Sequence, residues 1–243
     1  MSEIAGPLGE ALAAVTSSPF AAIALTLWAF LAGAWLFVRM GRPVWCPPVL
    51  LSAVILAVGL VLLRYPIEQY RLQAHWLTVL LGPATVALGI PLYQQMHHIR
   101  ALWKPVLLLL PLAATLAAFY ALALAAVLGA SPEALASLAP KSVTAPIAIG
   151  ITEQLGGSVP LMMAGLLVTG VVATWCVDVF GRRLRVTDER IIGLVLGLNG
   201  HAIGTVRAFE ISPLAGAFAS LGMGLTGIFT AFMLPFAFRL WQV

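Results

Sequence analysis

Apolar runs about the length of a bilayer, separated by short polar clusters, set the rhythm of this chain. The run 20–38 ends at Arg39 and Arg42, and 47–63 ends before Arg64, Glu68 and Arg71. The run 74–93 is interrupted by Gly82, Pro83, Gly89 and Pro91, and a polar, basic stretch with His97, His98, Arg100 and Lys104 follows it. The runs 105–128 and 159–180 are long and clean, whereas 191–206 is shorter and holds Gly197, Asn199, Gly200, His201 and Gly204. The run 213–238 comes last. A helix of about 20 apolar residues crosses the hydrocarbon core of a bilayer. No strand-like alternation runs through these segments, so they predict membrane helices rather than barrel strands. Residues 1–19 start polar, and 7–18 predict a short interfacial helix ahead of a single transmembrane domain over 20–243.

One stretch breaks the pattern. Residues 137–157, SLAPKSVTAPIAIGITEQLGG, are apolar enough to enter a bilayer yet contain Pro140, Lys141, Pro146 and Glu153. An ammonium at the centre of a membrane helix costs about 2.5–3.5 kcal/mol on insertion scales. The two prolines prevent one uninterrupted helix, and broken backbone at membrane depth is tolerated only where protein covers it or it lines a cavity. The combination points to half of a binding site for a small anion.

The charges choose a topology. If every segment crosses, Arg39, Arg42, Arg100 and Lys104 face one side and the RRLRVTDER loop at 182–190 faces the other, against the positive-inside bias. If 137–157 dips in and returns, those cations, with Arg239, all fall on the cytoplasmic side. The expectation is an all-α integral membrane protein with about seven spans plus one re-entrant segment. A weak repeat supports two inverted halves, about 20–128 and 135–243. Leu81-Gly82 and Ala87-Leu88-Gly89 resemble Leu196-Gly197 and Ala202-Ile203-Gly204 at an offset of 197 − 82 = 115. Inverted repeats with interrupted helices mark secondary transporters.

Composition narrows the class. The chain has 243 residues, 61% hydrophobic and 9% charged, against about 25% charged in a soluble domain. The net charge of +4 resides in topology clusters, so no nucleic-acid partner is expected. Cys46 and Cys176 have no metal or redox spacing. No metal or other cofactor and no enzymatic activity are expected. Residues 1–19 hold Glu3 and Glu10 but no basic n-region, so no cleavable signal peptide is expected.

The candidate chemistry follows from these breaks. Lys141 follows Pro140, where a half-helix can begin, with Ser142 and Thr144 close by. A helix N-terminus with an added ammonium suits a carboxylate; the alternative is a lysine that snorkels to the interface. Thr85 follows Gly82-Pro83 and resembles Ser142 in setting, PATV against PKSV. Asn199 and His201 lie among glycines, with Thr205 as a further hydroxyl. His201 can bind an anion, relay a proton, or bond a carbonyl across helices. Glu153 can pair with Lys141 or take part in proton coupling; the alternative is an interfacial carboxylate. Asp178 and Glu210 read as solvated or capping residues.

Three strings together resemble the LrgB/CidB family of bacterial membrane proteins: LGPATVALGIPLYQQ at 81–95, LAPKSVTAPIAI at 138–149, and HAIGTVRAFE at 201–210 with its glycine-rich continuation. Ala139 and Ala145 stand where the family more often has Leu and Thr, and Asn199-Gly200 where small residues are usual. The resemblance implies a multi-pass protein of the bacterial cytoplasmic (inner) membrane. It implies one of two functions. The first is modulation of murein hydrolase export and autolysis with a small holin-like LrgA/CidA-type partner. The second is transport of small monocarboxylates, as in plastid relatives that carry glycolate and glycerate and bacterial members linked to pyruvate uptake. Polar residues concentrate in the interrupted segments rather than along wide helix faces, which favours a carrier over a lytic pore. The expectation is alternating-access transport by a homodimer. Lys141 neutralises the carboxylate, Ser142, Thr144, Thr85 and Thr205 supply hydroxyls, and Asn199 and His201 contact the other end or handle a proton.

Overall fold

A computed structural model describes residues 18, 20–87 and 89–241, and among these it is helical with no strand. The interfacial helix expected over 7–18 falls outside the described residues but for Ser18. The chain divides after Thr85 into two compact units.

The first unit is built on α1 (Ala21–Arg39) and α2 (Pro48–Leu62). Gly33 lets them approach closely, because a Cβ there would overlap the Ser52 hydroxyl. The short helices α3 (Ile67–Gln73) and α4 (His75–Val79) follow. The Thr26 and Tyr70 hydroxyls, 2.8 Å apart, tie α1 to α3. Helices α5 (Leu81–Ala87) and α6 (Gly89–Gln94) lead onward, so the expected interrupted segment is a series of short pieces.

The second unit begins its long helices with α7 (Met96–Val127). It starts nine residues ahead of the run expected at 105–128, and the basic stretch forms its first turns. Its 32 residues measure about 48 Å, longer than the ~30 Å hydrocarbon core, so the polar turns extend past it.

The focal stretch follows as α8 (Pro132–Leu138), a break over 139–144, and α9 (Ala145–Gln154). Ser131 caps α8, its hydroxyl accepting from the Ala134 amide at 3.2 Å. The stretch turns back on itself, since the Ser158 amide beyond α9 donates to the Ser137 hydroxyl at 2.7 Å. This is hairpin 1. Val143 and Ala148 of the hairpin pack on Met162 and Leu166 of α10 (Val159–Arg183).

Five described helices are long and apolar enough to cross a membrane: α1, α7, α10, α11 (Glu189–Ile211) and α12 (Pro213–Trp241, with the apolar part ending at Leu240). One of them does not use its length. The Ser212 hydroxyl donates to the Glu189 carboxylate at 2.5 Å, whereas a straight 23-residue helix would hold its ends about 34 Å apart. The expectation of a crossing over 191–206 is therefore corrected: α11 is a second hairpin. His201, at φ 42° and ψ −130°, reverses the chain inside it.

Both arms of hairpin 2 pack with α12. Leu196 and Ala208 meet Ala215 and Ala219. A Cβ on Gly197 would overlap the Ala219 carbonyl, so glycine sets the spacing there. Arg207 joins the return arm to α10, its guanidinium reaching Asp178 and Glu210 at 2.8 Å each. Those carboxylates, expected to be solvated or capping, thus form ion pairs. At the hairpin's start, Asp188 accepts from the Arg190 side chain and amide, which hold its carboxyl down to about 2.

The second unit therefore repeats one module, a hairpin followed by a long helix, over 132–183 and again over 189–241. The expected repeat at offset 115 fares differently. It paired 20–38 with 135–153, but α1 is continuous where hairpin 1 is folded.

Candidate functional site

Pro140 and Pro146 shape the turn of hairpin 1. Pro146 occupies one of the first two positions of α9, where its missing N–H is harmless. Thr144, with extended backbone at φ −69° and ψ 148°, is the N-cap. Lys141 is thus not at the helix start, as expected, but four residues before it. Its amide is bonded to the Leu138 carbonyl at 3.3 Å in a turn that continues off α8. Pro140, Ser142, Val143 and Thr144 are buried around it. The Lys141 ammonium donates to the Ser142 hydroxyl at 3.1 Å. No carboxylate pairs with Lys141 among the described residues.

The turn of hairpin 2 is held by its own polar groups. The His201 ring is buried, with Nε2 3.0 Å from the Leu166 carbonyl of α10. A carbonyl only accepts, so Nε2 carries the proton and Nδ1 is left as an acceptor. Nδ1 is buried and has no hydrogen-bond partner among the described residues. The Thr205 hydroxyl donates to the reversed His201 carbonyl at 2.8 Å, which steadies the break. Gly170 makes room for the ring, because a Cβ there would stand 2.8 Å from His201 Cε1. The Asn199 amide donates to the Val195 carbonyl at 3.2 Å, leaving Oδ1 to accept.

The two turns converge on α10. A Cβ on Gly165 would lie 3.9 Å from Lys141 Cβ, and Gly170 faces His201. These contact points are about 8 Å apart along the helix. Hairpin 1 comes from the Val159 end of α10, and hairpin 2 from the end that holds Asp178. An open cavity of about 820 Å³ brings Lys141, Ser142 and Asn199 onto a common wall with residues of α7 and α10. An ammonium, a hydroxyl and a carboxamide are suited to a carboxylate with one further polar group.

The other sequence candidates fall elsewhere. Thr144 stands at the N-cap position of α9, without a capping bond from its hydroxyl, and Thr205 holds the His201 turn; both are buried outside the cavity lining, as is His201. Glu153 is exposed near the far end of α9, about 12 Å from its first residue. It makes no ion pair with Lys141, so that pairing is corrected. Thr85 belongs to the first unit, on α5, and its side chain lies outside the described part of the structure. Tyr120, Thr169 and Cys176 also line the cavity. Nothing in their spacing announced this. No group of three or more histidine, cysteine or acidic residues that could hold a metal ion occurs among the described residues.

The chain matches the family model of the LrgB-like family over residues 26–240. It is 36% identical to an uncharacterised protein of Haemophilus influenzae, over 78% of this chain and 82% of that one. It is 31% identical to the uncharacterised protein YxaC of Bacillus subtilis, over 91% and 96%. Antiholin-like protein LrgB of Bacillus cereus is 26% identical over the same shares, 91% and 96%. No solved structure matches.

Proposed function

Since the chain belongs to the LrgB-like family and holds, beside an open cavity, an ammonium with no anionic partner among the described residues, we propose that it is a secondary transporter of small monocarboxylates. The cargo is a 2-hydroxy or 2-oxo acid, moved across the bacterial cytoplasmic membrane by alternating access. The observation that carries this reading is the Lys141 ammonium, whose one bond among the described residues goes to Ser142, where two hairpin turns converge. A cation in an apolar interior is costly unless something negative visits it.

In this reading both hairpins are re-entrant. Hairpin 1 enters from outside and hairpin 2 from the cytoplasm. The arms of hairpin 2, about 16 Å deep by helical rise, reach roughly half the bilayer. Six segments then cross rather than seven, and Arg39, Arg42, Arg100, Lys104 and the 182–190 loop stay cytoplasmic. Arg239 moves to the outer side. Lys141 neutralises the carboxylate, Ser142 and Asn199 bind its polar neighbour, and His201 with Thr205 fixes the turn that presents Asn199. The paired hairpins form an inverted repeat about the site, the arrangement that lets one site face two sides in turn.

A second reading rests on the antiholin-like name of the Bacillus cereus relative. It makes the chain a regulator that works with an LrgA-type partner and needs no cargo. Ligand-induced stability separates the two. A ligand at about 100 times its Kd adds about 2.7 kcal/mol to the folded state. Millimolar glycolate or pyruvate is expected to raise the thermal midpoint of the purified protein, and Lys141→Ala to remove the shift. No shift with any monocarboxylate, in protein shown to be folded, supports the regulator instead.

A further inference from the structure

We propose that this cavity selects monocarboxylates with an aliphatic tail of several carbons over two- and three-carbon acids, a refinement that rests on the transport reading. Lys141, Ser142 and Asn199 supply the anion contacts, the Tyr120 and Thr169 hydroxyls and the Cys176 thiol add neutral polar groups, and among the described residues no second Lys or Arg and no Asp or Glu lines the cavity. One positive charge matches one negative charge, so a second carboxylate would enter unpaired.

Beyond that cluster the wall is mainly apolar. Val168, Val172 and Phe180 of α10 run along one side, and Leu124 of α7 and Val195 of α11 belong to the same wall. From Val168 to Phe180 the wall extends about 18 Å. The cavity volume of about 820 Å³ lies in the upper part of the range of about 300–1,000 Å³ typical of pockets for much larger ligands than glycolate. A polyhydroxylated acid carries more hydroxyls than Tyr120 and Thr169 can partner on this wall, whereas a methylene gains by leaving water. Charge at one place and apolar surface running away from it describe a ligand with the same polarity.

The test is a titration series on the full chain in detergent: pyruvate, 2-oxobutanoate, 2-oxopentanoate and 4-methyl-2-oxopentanoate, with succinate for comparison, read by thermal shift. Apparent affinity is expected to rise up to about fourfold for each methylene fully buried, with succinate weakest. Ala121→Phe fills the α7 side of the cavity. It is expected to bring the six-carbon acid down to the level of pyruvate while pyruvate binding persists. If Ala121→Phe does not fold, Ala117→Phe, one turn away on α7, asks the same question. Pyruvate binding as tightly as the longer acids would overturn the selection for tails and leave transport standing. So would a folded Phe variant that keeps the chain-length trend. Absence of any stabilisation by any acid would overturn both.

Discussion

At the residue scale, the molecule turns on two side chains placed where a sequence pattern alone puts them at a cost. Lys141 has a hydroxyl for its only described partner, and His201 sits at φ 42° with a buried Nδ1 that has no partner among the described residues. Positive φ is unfavourable for a side chain branched at Cβ, and such strain costs about 1–3 kcal/mol. His201→Val is therefore expected to lower stability more than His201→Gly, although glycine removes more buried contact; thermal unfolding in detergent measures the difference. Lys141→Arg keeps the charge but not the compact ammonium. It is expected to retain part of the ligand-induced shift that Lys141→Ala abolishes.

The residue types were legible because a lysine and a histidine in apolar surroundings need a reason. What Thr144, Thr205 and Glu153 do was not legible. A threonine beside a break caps or binds according to where the chain turns, and that is fixed by backbone angles at Thr144 and His201. Glu153 and Lys141 are close in sequence, but α9 stands between them.

At the element scale, the hairpins are the units that matter. Hairpin 2 owes its packing to missing side chains: a Cβ at Gly197 would overlap the Ala219 carbonyl. Gly197→Ala is expected to cost about 1–3 kcal/mol through overpacking. Gly150→Ala in α9 meets nothing within 4 Å and is expected to gain about 0.5–1 kcal/mol; unfolding midpoints of the two variants compare them directly. The hairpin itself is checked by cross-linking. Glu189→Cys with Ser212→Cys, in a background without Cys46 and Cys176, is expected to be joined within one chain by a short bis-maleimide, since the native side chains touch. A straight α11 would give no such link.

The sequence marked the break in 137–157 through its two prolines. It marked the break in α11 only through glycines, which serve close packing as readily as reversal. A run of apolar length therefore read as a crossing. The early start of α7 was hidden for a related reason: hydropathy reports where lipid lies, and a helix can continue beyond it.

At the scale of the whole molecule, all-helical architecture and membrane residence follow from long apolar runs and sparse charge, as do five helices of crossing length. The direction in which each hairpin enters is a property of the folded chain in a bilayer. If hairpin 1 opens outward and hairpin 2 inward, single cysteines at the exposed positions Gln154 and Leu184 lie on opposite sides. In a background without the native cysteines, a membrane-impermeant maleimide added to intact cells is expected to label Gln154→Cys and to spare Leu184→Cys until the membrane is opened. Both labelled from one side would remove the inverted pair, and with it the symmetry that alternating access uses.

The central claim is that an anion completes the charge at Lys141 and is carried with it between two faces of the membrane. Uptake of labelled pyruvate by proteoliposomes, with unlabelled monocarboxylate trapped inside, measures this most directly. Saturable uptake by the native chain that Lys141→Ala reduces to the level of empty liposomes, with the variant folded and equally incorporated, is the expected result. Uptake that persists at the native rate in Lys141→Ala, or uptake no greater than that of empty liposomes for the native chain across the acid series, would contradict it.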